Sequence, residues 1–128
     1  MLIVNCRCLK YMSDYTNCLL QGYGVLPSAP TKVHVTNIDV DFAIIHWDVP
    51  KTLGDTVQYY NVHYRMMATY NNEYRKIAKV HPPFILEHLY SNTDYEVFVE
   101  AVNTHGVGEP SVRIVFRTES KVSYCILQ

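Results

Sequence analysis

The sequence predicts an all-β fold, a sandwich of seven short strands, and three observations lead to this prediction. From residue 31 onward, short stretches alternate apolar with polar residues, which is typical of half-buried strands. Turn residues such as Gly, Pro, Asn and Asp separate these stretches. No stretch of comparable length repeats its apolar residues with the period of a helix.

The third predicted strand shows the alternation most clearly. Tyr60, Val62 and Tyr64 point to one face, and the residues between them point to the other. Pro50 ends the second strand, because proline cannot donate a hydrogen bond to a strand ladder. The seven strands are predicted at Lys32–Val35, Ala43–Trp47, Val57–Arg65, Tyr74–Val80, Phe84–Leu86 with Leu89, Tyr95–Val102 and Val112–Thr118.

Length and composition fit one domain with additional segments. The chain has 128 residues, of which 48% are hydrophobic, enough to fill a core. Its 11 Lys and Arg nearly balance its 12 Asp and Glu, without a block of like charge, so neither a nucleic-acid surface nor a polybasic membrane patch is expected. We expect a cysteine-bearing N-terminal segment (1–26), the sandwich (27–119) and a C-terminal tail (120–128).

Several motifs at consistent spacings make the prediction more specific. They are Pro27-Ser28-Ala29-Pro30, Trp47 followed by Pro50, Tyr60-x-Val62-x-Tyr64, Leu89-x-x-x-Thr93-x-Tyr95 and Ala101-Val102-Asn103 followed by Gly106, Gly108 and Pro110-Ser111. From about residue 27 to 118 this pattern resembles the fibronectin type III family. The resemblance implies an immunoglobulin-like sandwich with strands named A, B, C, C′, E, F and G.

The resemblance also assigns structural roles. Trp47 would fill the space between the sheets, and the Tyr95 hydroxyl would return to the backbone upstream and fix the E–F corner. Gly106 and Gly108 would supply backbone angles that a side chain resists. Ser91 stands where family members commonly carry proline, which should loosen the corner slightly. The expected core comprises Trp47, Tyr60, Val62, Tyr64, Leu89, Tyr95, Val97 and Val99.

Nothing in the sequence predicts catalysis, a cofactor or a small-molecule substrate. It contains no nucleophile elbow, no phosphate-binding Gly loop and no His-Glu-x-x-His. Its six histidines lack metal-ligand spacing, and His34 and His46 are expected on outer faces of neighbouring strands. The resemblance implies a non-catalytic module that spaces other domains or binds protein partners.

Three regions are candidate binding surfaces. One is the pole that carries the loops between strands B and C and between strands F and G, and another is the outward face of strands C and F. The third is an edge strand, the fourth, where Tyr74-Arg75-Lys76 would discourage edge-to-edge pairing. Outward tyrosines also stabilise sheets through cross-strand pairs, so the face of strands C and F has a purely structural interpretation as well. The candidate residues are Tyr59, His63, Phe98, Asn103, His105 and Glu109.

The cysteines are compatible with either an extracellular or an intracellular location of the protein. Cys6, Cys8 and Cys18 fit the end of a disulfide-rich upstream module, with reduced thiols or a bridge within this chain as the alternatives. That fits an extracellular or cell-surface receptor or adhesion protein, of which the chain would be a piece, because its N-terminus lacks a convincing signal peptide. Cys125 begins a C-terminal Cys-a-a-X pattern, so the second hypothesis is an intracellular interaction protein, prenylated at Cys125.

Overall fold

A computed structural model describes residues 25–68 and 73–122 of the chain. All four cysteines lie outside the described residues, and so does Tyr70-Asn71-Asn72, which the sequence predicts as the turn before the fourth strand. Within these two ranges the regular structure is β-strand, apart from one short 3₁₀ turn at Gly54–Thr56. The strands are β1 (Thr31–Thr36), β2 (Ala43–Asp48), β3 (Tyr59–Met66), β4 (Arg75–Val80), β5 (Phe84–Leu86), β6 (Asp94–Asn103), β7 (Gly106–Val107) and β8 (Ile114–Arg117).

These strands form two antiparallel sheets, which confirms the predicted fold class. The smaller sheet has the order β1-β2-β5. In the larger sheet β3 lies between β4 and β6, and both β7 and β8 pair with β6. The longest pairing joins β3 to β6, from Tyr59 opposite Val102 to Met66 opposite Tyr95.

The seventh predicted strand, Val112–Thr118, contains β8, whereas β7 lies before the predicted segment, where no strand was expected. Between them, the Gly108 N–H donates to the Ala101 carbonyl at 2.9 Å, and the Ser111 N–H donates to the Val99 carbonyl at 2.9 Å. Pro110 has no N–H to offer, so the ladder is interrupted there. The two short strands are therefore successive pieces of one strand along β6.

The fifth predicted strand was too long. β5 ends at Leu86, and Leu89 lies beyond it in the turn that leads to β6. Leu89 is nevertheless buried at 6% exposure, and its N–H donates to the Asp41 carbonyl at 2.9 Å. It therefore belongs to the core as a turn residue rather than a strand residue.

The core lies between the two sheets and is filled by the inward residues of each strand. Trp47 meets Tyr60 edge-on, with ring centroids 5.3 Å apart. Tyr64 is only half-buried, whereas the other seven expected core residues are buried. The buried set also includes Val33, Ala43, Ile45, Leu86, Ala101 and Phe116. Burial of apolar surface, about 25 cal/mol per Å², holds the sheets together.

Candidate interaction surfaces

The chain enters the sandwich between two loops that we call the N-terminal pole: residues 49–58 after β2 and 103–108 after β6. Ser28 and Thr52 bond reciprocally across it. The Ser28 N–H donates to the Thr52 carbonyl at 3.1 Å, and the Thr52 N–H donates to Ser28 Oγ at 3.0 Å. The segment at residues 25–28 is thereby fastened to the loop after β2.

Asn103 fastens the same segment to the other loop. Its Nδ2 donates to the Val25 carbonyl at 2.6 Å and to Thr56 Oγ1 at 3.1 Å. Its Oδ1 accepts the His105 N–H at 2.8 Å. Asn103 is 5% exposed, so this candidate binding residue contributes almost no surface to a partner. His105 and Glu109 are exposed, as expected of binding residues in this loop.

Gly108 permits the close approach of the incoming chain. A Cβ at this position would lie 2.2 Å from the Pro27 carbonyl oxygen, a distance that no side chain tolerates. Of the two glycines Gly106 and Gly108, only Gly106 has a positive φ, 141°, which glycine adopts more readily than other residues. The sequence interpretation attributed Gly108 to its backbone angle, and this reason was wrong. Glycine is required there because the Pro27 carbonyl leaves no space for a side chain.

The chain leaves the sandwich at the opposite end, the C-terminal pole, formed by the turns at residues 37–42 and 87–93. The Glu119 N–H donates to the Asp39 carbonyl at 3.0 Å, and the Glu119 carbonyl accepts the Asn92 N–H at 3.0 Å. The Tyr95 hydroxyl accepts the Tyr90 N–H at 2.8 Å, which is the tyrosine corner that the resemblance implies.

Thr118 completes this pole and was not singled out from the sequence. Its hydroxyl donates to the Tyr90 carbonyl at 2.6 Å and accepts the Thr93 N–H at 3.0 Å. The side chain is almost fully buried. A buried threonine at the end of the last strand carries no local sequence signal, because its partners lie 25 and 28 residues away.

The outward face of the larger sheet is covered by its own side chains. Phe98 was expected on an exposed stripe but is only 7% exposed. The His63 ring stacks on it at 4.6 Å, Tyr74 meets it edge-on at 5.0 Å, and the Arg113 guanidinium lies 4.8 Å above it. The predicted orientation was correct, and the predicted exposure of Phe98 was wrong.

Charges complete this covering layer. Glu96 accepts a hydrogen bond from the Tyr74 hydroxyl and another from Arg65 Nε at 2.9 Å. The hydrogen bond from Tyr74, followed by that from Arg65, lowers the pKa of the Glu96 carboxyl below its ordinary value. His63 Nε2 lies 2.7 Å from Glu100 Oε1 in the same layer.

Tyr59, at the start of β3, is half-buried, and the Lys79 ammonium lies 5.8 Å from its ring centroid. On this face the candidate residues Tyr59, His63 and Phe98 are thus held by neighbouring side chains. The interpretation that outward aromatic residues stabilise the sheet accounts for their geometry.

On the smaller sheet, His34 and His46 stack with ring centroids 4.8 Å apart. Lys32 O accepts a hydrogen bond from His34 Nδ1 at 2.8 Å, and His46 Nε2 bonds Thr36 Oγ1 at 2.7 Å. No group of three or more His, Cys, Asp or Glu among residues 25–68 and 73–122 is arranged to hold a metal ion.

Two antiparallel sheets around one apolar core, with a tyrosine corner and loops at two poles, define an immunoglobulin-like β-sandwich module. A family model described as the fibronectin type III domain matches residues 28–117. The chain therefore belongs to the fibronectin type III family. Domains of this family are generally non-catalytic modules.

Curated relatives carry such modules within much longer chains. The chain is 29% identical to Ig-like and fibronectin type-III domain-containing protein 1 of Caenorhabditis elegans, over 92% of this chain and 11% of that protein. It is 32% identical to receptor-type tyrosine-protein phosphatase S of Gallus gallus, over 86% of this chain and 8% of that protein. The chain thus spans about a tenth of the length of these relatives.

Solved structures confirm the fold. The fifth fibronectin domain of Drosophila Lar has a TM-score of 0.62 and 26% identity, covering 75% of this chain and all of that one. The third fibronectin III domain of human KIAA0343 protein has a TM-score of 0.66 and 26% identity, covering 80% of this chain and 91% of that one. Within the part of the chain that the structure describes, no helix is long and apolar enough to span a membrane.

Proposed function

We propose that the chain is a non-catalytic spacer and protein-binding module of a cell-surface receptor or adhesion protein. The observation that carries this proposal is the fastening of both ends of the sandwich, residues 25–28 and Glu119, at opposite poles. Ser28 and Asn103 hold the incoming chain beside the C-terminal ends of β2 and β6. Glu119 is held beside the N-terminal ends of the same two strands. A module built in this way sets a fixed distance between its neighbours.

The spacing follows from strand length. β6 has ten residues and runs from one pole to the other. At about 3.3 Å per residue it spans roughly 33 Å. A rigid segment of this length, hydrogen-bonded at each end, separates adjoining domains better than a flexible linker, whose end-to-end distance fluctuates.

The similarity to much longer proteins, of which the chain spans about a tenth, supports the same proposal. The Caenorhabditis elegans match covers 92% of the chain, so it includes more than half of the segment before residue 28. This is the behaviour expected if residues 1–26 belong to an upstream module and the domain proper covers residues 27–119. One relative is named a neural cell adhesion molecule L1-like protein of Homo sapiens, and it is 28% identical over 66% of this chain.

The cysteines offer a direct test of the setting. Intact mass of protein isolated from its native source is measured before and after reduction and alkylation. Disulfides that involve Cys6, Cys8 or Cys18 are the expected result, because pairing persists in oxidising compartments. Reduced thiols together with a farnesyl increment on Cys125 and loss of the last three residues would contradict the proposal and support the intracellular alternative.

A further inference from the structure

Among the described residues the two sheets have free edges, and each of these edge strands except one carries a feature that discourages pairing with another chain. β1 and β4 each contain a register shift, and in each a lysine has a positive φ: Lys32 at 54° and Lys79 at 63°. Such bulges twist an edge away from a regular partner. β5 and β7 are protected by their length, three and two residues.

β8 is the exception. It pairs with β6 in an unbroken register from Ile114 opposite Val97 to Arg117 opposite Asp94. Thr118 continues this ladder through its N–H, which donates to the Thr93 carbonyl at 3.0 Å. No residue of this stretch has a positive φ. Its outer side is thus a regular strand edge without a bulge or a kink.

The free main-chain groups of this edge can be assigned. In an antiparallel ladder, alternate residues point their N–H and carbonyl groups toward the partner strand. Because Thr118 bonds toward β6, Phe116 and Ile114 do so too. Val115 and Arg117 therefore point their N–H and carbonyl groups away from β6, toward an incoming strand.

The side chains of the edge have a definite chemical character. Val115 is 54% exposed and lies between two cations, Arg113 and Arg117, that follow the same alternation. Arg117 already bonds Asp94 through Nε and Nη2, each at 2.9 Å. The Arg113 guanidinium lies over Phe98 and Tyr74. It forms no salt bridge within the described residues, although its charge helps to lower the pKa of the Glu96 carboxyl.

We propose that the outer edge of β8 binds an extended segment of a partner protein in which an apolar residue lies between two acidic residues at alternate positions. The partner's main chain extends the sheet by pairing with Val115 and Arg117. Its acidic side chains face Arg113 and Arg117, and its apolar side chain covers Val115. This inference rests on the binding half of the proposed function and names the class of partner.

A second copy of the chain fits this edge poorly. Antiparallel self-pairing centred on Val115 would place each Arg113 opposite Arg117 of the other copy. Like charges directly opposite one another destabilise a strand pair. The same arginines that attract an acidic segment therefore act against self-association.

A short synthetic peptide tests the proposal. Acetyl-Thr-Glu-Thr-Val-Thr-Glu-Thr-amide places Glu, Val and Glu on one face and reads the same in both directions, so it fits a parallel or an antiparallel approach. The control peptide carries Lys in place of Glu. Each is titrated into the full ¹⁵N-labelled chain, and shifts of the amide signals are followed at two salt concentrations.

Val115→Pro and Val115→Thr form the matched pair of variants. Proline removes only the outward N–H, which bonds nothing within the domain, and edge strands tolerate it at such positions. Threonine keeps that N–H. Thermal melting verifies that both variants remain folded.

The expected result is binding of the glutamate peptide with shifts centred on Val115 and Arg117, weakened by added salt. We expect Val115→Pro to weaken it about tenfold and Val115→Thr to change it little. No binding, equal binding of the lysine peptide, or binding that survives Val115→Pro would overturn the proposal. A dimer that forms with rising concentration and is lost in Val115→Pro would assign the edge to a second copy and overturn it too. None of these outcomes affects the intact-mass measurement of the cysteines, which tests the proposed function separately.

Discussion

At the N-terminal pole the incoming chain is held largely by side-chain hydrogen bonds, and a glycine leaves the space that it occupies. At the C-terminal pole the outgoing chain is held by main-chain hydrogen bonds next to the tyrosine corner. Ser28, Asn103 and the missing Cβ of Gly108 make the first attachment. Main-chain pairing of Glu119 and the hydroxyls of Tyr95 and Thr118 make the second.

The difference matters because the two poles share the same strands but not the same chemistry. The hydrogen bonds that hold residues 25–28 at the N-terminal pole involve only neutral groups. The ion pair between Asp94, at the start of β6, and Arg117, at the end of β8, lies next to the C-terminal pole. A change in the shared core should loosen both poles together, and a change at one pole should loosen that end first. The following predictions separate these cases, in order of decreasing effect.

Trp47→Ala should loosen both poles at once. Trp47 is buried between the sheets against Tyr60, and truncation of a buried Trp costs about 3–5 kcal/mol. Urea unfolding measures the loss of unfolding free energy. Val49→Ala serves as control, since Val49 is 60% exposed and surface changes stay within about 0.5 kcal/mol. If Trp47→Ala lowered the unfolding free energy as little as the control does, Trp47 would lie outside the core.

Gly108→Ala should detach the N-terminal pole alone. The new Cβ would lie 2.2 Å from the Pro27 carbonyl oxygen, so the incoming chain must move, at a cost of about 1–3 kcal/mol. Amide hydrogen exchange should accelerate at Ser28 and Thr52 and stay unchanged at Glu119. Gly54→Ala is the control, because its Cβ finds ordinary contacts of 3.4 Å or more. Equal acceleration at both poles would contradict independent attachment.

Tyr95→Phe should loosen the C-terminal pole alone. The substitution removes the acceptor of the Tyr90 N–H and keeps the ring packed on Phe116 at 5.9 Å. One lost hydrogen bond costs about 1 kcal/mol. The measured quantities are unfolding free energy and exchange at Tyr90. Tyr59→Phe on β3 is the matched control, and a loss there equal to that of Tyr95→Phe would remove the special role of the corner.

Acid should loosen the C-terminal pole before the N-terminal pole. The hydrogen bond from Arg117 lowers the pKa of the Asp94 carboxyl below its ordinary 3.8. Because the folded-state pKa is the lower one, the stabilisation is present above pH 3.8 and is lost as pH falls through the folded-state pKa. The pair is exposed, so the effect is small and falls with salt.

Hydrogen exchange at Asn92 and Thr118 measures this prediction as pH is lowered below the ordinary pKa of aspartate. Asp94→Asn should abolish the difference between the poles. A pole-to-pole difference that persists in Asp94→Asn, or one that grows with added salt, would contradict the assignment to this ion pair.

The sequence predicted what depends on local pattern and on motifs. Alternation in β3 and β6 identified which face is inward, and the spacing of Leu89 and Tyr95 identified the corner. It did not predict that Phe98 is covered, because Tyr74 and Arg113 reach it from the positions just before β4 and β8. Nor could it show that Gly108 is required by Pro27, whose contact joins residues far apart in the chain.

The spacer proposal depends on the fastening of both ends of the sandwich, and backbone ¹⁵N relaxation on the full chain tests this fastening most directly. We expect order parameters of about 0.85 for Ser28 and Glu119, equal to those of residues in β3 and β6. Values below about 0.6 at either residue would mean that this end is free. The module would then link its neighbours flexibly, and the spacer proposal would fail.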